Sequence, residues 1–262
     1  MKHIIVLSFV VLAICSCNSP ENQEEQIPIV IEDTTFLIKK SLAAINFYAL
    51  GQEPFWSLNL LQDSIVHFIP APDAAVIKLP WQEPQQIGGI KRFTLEDDGR
   101  RLTITIRPDS CQDTMSGQMF DHIVTAAYRN SESNSLTSYT GCGEYVPDYR
   151  LTGRWELETL QGNSIHQENG LRETPFFNIR PFDKSFDGNA GCNSISGTLA
   201  IEGERLFFSN IRTTRMACPS PLEEKLVQAL GRVSRYTINR NQLILYQEDQ
   251  QLAIYKRTKT QG

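Results

Sequence analysis

The chain has 262 residues, 40% of them hydrophobic, with 25 Lys and Arg against 30 Asp and Glu and a formal net charge of −5. This mild acidity, with no basic run, excludes a dedicated nucleic-acid face. The composition is that of a globular product, and the length allows two domains of about 100 residues each.

In chain order, Met1-Lys2-His3 gives a short basic start and Ile4 to Ile14 an apolar run. The run is too short for a membrane span of roughly 20 residues but fits a signal-peptide core. It ends in Ile14-Cys15-Ser16-Cys17, which resembles a bacterial lipobox. That resemblance implies a signal peptide over 1–16 and a lipid on Cys17 as the mature N-terminus. The plain alternative is a secretory signal with two incidental cysteines. No later segment is apolar enough to span a bilayer, so everything after Cys17 is expected outside the cytoplasm. Asn18 rather than Asp follows the cysteine, which favours an outer-membrane address facing the periplasm or the cell surface. Residues 17–28 include the acidic, aromatic-free stretch Pro20 to Gln26 and read as a lipidated polar tether.

From residue 29 to 147 the segments are short and alternate in polarity, as in a small antiparallel barrel or sandwich. Strands are expected at Phe55–Leu60, Ser64–Ile69, Asp121–Tyr128 and Leu136–Thr140. A hairpin is expected through Asp97-Asp98-Gly99, from Lys91–Glu96 to Arg101–Ile106. The one helix candidate here lies around Ile38 to Ile45. Three motifs carry a resemblance to an uncharacterised family of bacterial envelope domains: Gly51-Gln52-Glu53-Pro54-Phe55-Trp56, Cys111 to Ser116, and Gly141-Cys142. Phe55 and Trp56 are expected to plug the core or the barrel mouth. Glu53 is a candidate binding residue or acid, with a cap on backbone amides as its plainer reading.

Four cysteines remain after Cys17: Cys111, Cys142, Cys192 and Cys218. They allow three pairings. An oxidising compartment and two domains favour Cys111 with Cys142 and Cys192 with Cys218. Each bridge would close a loop of about 30 residues, worth roughly 3–4 kcal/mol.

A second domain is expected over 151–257, opening with a strand at Leu151–Leu157 and another at Pro175–Ile179. The glycines between Phe186 and Gly197 read as tight turns beside a disulfide rather than a phosphate cradle, because strand-like Thr198–Ile201 follows instead of a helix. A helix begins after Cys218, with Ser220 as N-cap, Pro221 in the first turn and Glu223 completing a capping box. Its apolar stripe is Leu222, Leu226, Val227, Leu230 and Val233. Tyr236–Asn239 and Gln242–Tyr246 form a hairpin through Arg240-Asn241, and Leu252–Lys256 is a last strand. Strands plus one packed helix make the fold mainly β with an α+β second half.

Gly153 and Trp155, Gly191-Cys192-Asn193 with Gly197, and Thr213 to Cys218, followed by Glu223, resemble the META domain family. The resemblance implies a compact antiparallel β-domain with one packed helix, and association with the bacterial envelope and stress responses. It supplies no catalytic residues.

Neither metal nor cofactor is expected. His67, His122 and His166 are scattered, no two at the four-residue spacing that places imidazoles on one helix face. No Gly-x-Ser-x-Gly elbow is present, so no enzyme is expected. Binding is the better class. Ser116-Gly117-Gln118-Met119-Phe120 partly resembles the loop of membrane-bound inhibitors of c-type lysozyme, departing at Gln118 and Phe120; a surface turn is the plainer reading. That resemblance would make Ser116 a binding residue. The expectation from sequence is a non-enzymatic, lipid-anchored envelope protein. It would hold the membrane through its lipid and take an envelope protein or glycan as partner. Inhibition of lysozyme or another hydrolase is the alternative.

Overall fold

A computed structural model describes residues 30–61, 64–131 and 135–258. Cys17, the signal peptide and the tether lie outside the described residues.

The described chain is mostly strand, arranged as two curled antiparallel sheets with two helices. It begins with α1 (Val30–Leu42). The first sheet then uses β1 (Ile45–Gln52), β2 (Phe55–Leu61), β3 (Ile65–Ile69), β4 (Ile77–Pro80), β5 (Gln85–Ile87), β6 (Ile90–Asp97), β7 (Arg100–Gln112), β8 (Met119–Arg129) and β9 (Leu136–Tyr145). Its order is β4-β3-β2-β1-β9-β8-β7-β6-β5. Alternation puts Leu58, Leu60, Val66, Phe68, Leu102, Ile104 and Val124 on one buried face. The sheet curls far enough for Trp81, just after β4, to meet Phe93 of β6 edge-on at 5.1 Å between ring centroids.

The helix lies earlier than the sequence suggested. Ala44 adopts a left-handed φ of 57° and stops it, and Ile45 already belongs to β1. The run Ile45 to Leu50 is apolar almost throughout because it is covered on both sides. Phe47 and Ala49 face the main core, whereas Tyr48 joins Phe120, Cys142 and Val146 beneath Leu37 of α1. A strand buried on both faces loses the period of two that would reveal it.

A 3-10 turn (Tyr149–Leu151), capped by the Asp148 carboxylate accepting from the Arg150 N–H, leads into the second sheet. A strand was expected from Leu151. Instead that residue closes the turn, and its carbonyl accepts from the indole of the fully buried Trp155 at 2.8 Å. The strands are β10 (Gly153–Leu160), β11 (Asn163–Ser164), β12 (Phe176–Arg180), β13 (Ser185–Asn189), β14 (Ser194–Glu202) and β15 (Arg205–Thr213). After α2 (Leu222–Leu230) come β16 (Arg235–Asn239), β17 (Gln242–Gln247) and β18 (Gln250–Thr258). The order is β15-β14-β13-β12-β10-β18-β17-β16, with β11 paired to β10. The outermost strands meet where the Tyr236 N–H donates to the Glu204 carbonyl at 3.0 Å. Leu222, Leu226, Ala229 and Leu230 of α2 are buried in this core, and Val227 is partly buried beside it.

The glycine-rich segment is a strand before it is a turn. Phe186 to Asn189 lies in β13, and Gly188 runs so close to β12 that an added Cβ would come within 3.0 Å of the Phe176 carbonyl. Only residues 190–193 turn. Glycine served close strand approach here, not only turning.

Candidate functional site

The three motifs of the first half meet at one end of its sheet. Cys111 and Cys142 are joined, with their Cα atoms 5.5 Å apart. Gly51 and Gly141 permit the close crossing of β1, β2 and β9. A Cβ on either would fall within 3.0 Å of the Trp56 indole or the Leu50 carbonyl respectively. Between Cys111 and β8 the chain makes a tight loop. The Ser116 hydroxyl donates to the Asp113 carboxylate at 2.5 Å and its N–H does so at 3.0 Å. The Gln118 N–H donates to the Ser116 oxygen at 3.2 Å. The Ser116 hydroxyl, its N–H and the Gln52 side chain hold the Asp113 carboxyl below its usual range. Gln52 thereby ties the β1–β2 turn to the disulfide loop.

Each residue singled out from sequence has a definite place. Trp56 fills the core beside Phe68 and Tyr139 and donates its indole N–H to the Thr140 carbonyl at 3.2 Å. Phe55 does not plug it. Alternation turns Phe55 outward, 48% exposed, beside exposed Glu53. Ser116 is exposed, yet its hydroxyl is engaged within its own loop, and Phe120 is buried against Tyr48. The segment resembling a lysozyme-inhibitor loop therefore has its terminal aromatic in the core, not at the surface.

In the second half the shared motifs converge on Asn193, which is only 3% exposed. Its amide nitrogen donates to the Glu223 carboxylate at 2.8 Å, to the Met216 carbonyl at 3.2 Å and to Cys218 Sγ at 3.1 Å. Its oxygen accepts from the Thr214 hydroxyl at 2.9 Å and the Met216 N–H at 2.8 Å. Cys192 and Cys218 are joined, with their Cα atoms 6.0 Å apart. One side chain thus links β14, the 213–218 segment, the disulfide and the first turn of α2. This also corrects the capping box. The Ser220 oxygen does accept from the Leu222 N–H at 3.1 Å, but Glu223 reaches Asn193 instead of turning back. In the sequence Asn193 stands inside the Gly191-Cys192-Asn193 motif with nothing to mark it as a hub beyond its adjacency to a bridged cysteine.

Beside this hub lies an open groove of about 600 Å³, between the 213–221 segment and α2. Met216 and Val227 supply apolar wall, and Glu223, Glu224 and Gln228 supply polar edge. Ser220, which also lines the groove, donates its hydroxyl to the Glu168 carboxylate at 3.1 Å. Among the described residues no group of three His, Cys, Asp or Glu stands together as a metal site.

A second polar cluster joins the two sheets, and nothing in the sequence order pointed to it. Lys91 of β6 donates to the Tyr145 hydroxyl at 2.5 Å and lies 3.5 Å from the Glu202 carboxylate of β14. Lys184 and Asp121 pair across the same junction at 2.6 Å. His122 is buried there between Phe47 and Tyr145, its Nδ1 without a hydrogen-bond partner. Burial pushes its imidazole below the usual value, opposed by Glu202 and Asp121 and reinforced by Lys91.

Comparison with known proteins bears on the second half. No curated protein matches the chain. A protein solved by NMR is similar to 41% of this chain and 90% of its own, at 23% identity and a TM-score of 0.33. Residues 149–260, a span that contains the second sheet and the Asn193 hub, match the family model of the META domain.

Proposed function

We propose that this is a lipid-anchored, non-enzymatic protein of the bacterial cell envelope, which binds or maintains envelope components under stress through its META half. The carrying observation is the Asn193 hub. The polar groups of the shared motifs are engaged with one another, which makes them a rigid frame for the adjoining groove. Such a frame suits recognition, since a preformed site loses little conformational entropy on binding. META domains are not known as an enzyme family and suggest an envelope or stress-related role. The address rests on Cys17 and its lipobox-like context. The partner class is an envelope protein or a glycan.

Deletion of the gene tests the reading, with challenge by lysozyme and by bulky hydrophobic antibiotics and rescue by the intact chain or by Cys17→Ala. Broad sensitivity rescued only by the intact chain is the expected result. Rescue by Cys17→Ala would remove the anchor from the mechanism. Sensitivity to lysozyme alone would replace envelope maintenance with hydrolase inhibition.

A further inference from the structure

Ten large hydrophobic side chains are exposed among the described residues, and three of them stand on or beside α1: Phe36 and Leu42 on the helix, and Tyr149 beside its last turn. Tyr149 is held there by its N–H, which donates to the Ser41 hydroxyl at 2.9 Å. Leu42 and Tyr149 line one recess. The inner side of the helix presents Leu37 to the core under β1 and β9. The other side carries Phe36, exposed Lys39 and Leu42 at successive three-residue steps, over about 120° of arc, with Phe36 at its edge meeting buried Tyr48 edge-on at 5.4 Å. Aromatic and aliphatic side chains with a lysine among them are the composition of helices that lie in the headgroup region of a bilayer.

What covers this face follows from the chain that precedes it. Twelve residues lie between Cys17 and Val30, so thirteen residue steps join them. Fully extended they reach roughly 45 Å, at about 3.4 Å per residue. α1 is the first described element after Cys17 and lies within that reach of it. We infer that the Phe36–Lys39–Leu42 face of α1, with Tyr149, is a membrane-docking surface that seats the first sheet against the bilayer holding the Cys17 lipid. The inference rests on the lipid-anchor reading. Apolar contacts at a headgroup interface add to the hold of a lipid anchor. Docking would also restrict how the two sheets are presented, by replacing a free tether with a fixed contact.

The test uses the full processed chain, reconstituted into phospholipid vesicles whose acyl chains carry a nitroxide quencher. Phe36→Trp and, independently, Leu42→Trp place a reporter on the proposed face, read as the difference from the parent emission. Leu136→Trp is the control. It is 61% exposed and stands at the opposite end of β9 from Tyr145. Nine residue steps of strand place the two ends about 30 Å apart. Quenching of both α1 reporters at least about twofold above the control is expected for side chains in the headgroup region. Equal quenching on protein that floats with the vesicles overturns docking and leaves the anchor standing. Protein that fails to float overturns the anchor, and docking with it.

Discussion

Asn193 is the residue with most to lose. Asn193→Ala removes five hydrogen bonds and strands buried partners, so a loss of about 2–4 kcal/mol is expected in denaturant unfolding. Asn193→Asp is sharper because it sets a second carboxylate against Glu223. Its destabilisation should be largest at neutral pH and shrink on acidification, as one carboxyl of the pair takes a proton. A pH-independent loss would mean that shape, not charge, matters there. In the first half, Ser116→Ala takes away the strongest support of the Asp113 carboxylate. A depressed acid contributes stability above its unfolded pKa, lost as pH falls through the folded one. Ser116→Ala should therefore cost about 1 kcal/mol near neutrality and progressively less on acidification. That Asn193 is an anchor was not legible, since its partners Thr214, Met216 and Glu223 lie 21 to 30 positions further along the chain. That Trp56 is core was legible, because a large aromatic in an alternating strand has few other places to go.

At the scale of elements, α2 was the clearest feature of the sequence, and its apolar spacing matches the buried side. Leu226 is fully buried, and Leu226→Ala should cost about 2–5 kcal/mol. The capping box was misread because Ser220 and Glu223 have the right spacing while a buried amide competes for the glutamate. α1 was placed late for a different reason. Its end is set by the left-handed Ala44 and by the doubly covered β1, neither of which local periodicity reports. Lys40 sits on this helix, donating to Asn59 at 2.9 Å and lying over the rings of Phe36 and Tyr48. Desolvation lowers its pKa to about 8. The unfolded chain then binds more protons between that value and 10.5, so stability should rise with pH across that window. Lys40→Met should flatten the rise in thermal unfolding followed against pH.

Across the whole molecule, the sheets communicate through the Lys91–Tyr145–Glu202 contacts, the Lys184–Asp121 pair and buried His122. An imidazole held below its usual 6.5 is protonated more readily in the unfolded chain. Its contribution therefore falls as pH drops below about 6.5, and His122→Phe should reduce the loss of stability between about pH 7 and 5. An unchanged acid limb would assign that loss to carboxylates elsewhere. The sequence by itself determined the β-rich class, the two bridged loops, the helix α2 and the likeness to META domains, because these depend on local alternation, short-range spacing and few cysteine pairings. Tertiary structure alone decided where Asn193 directs its amide and that Lys91 meets Glu202. Those outcomes depend on which strands become neighbours in a curled sheet. Partners separated by 21 to 111 positions leave no periodic trace in one chain.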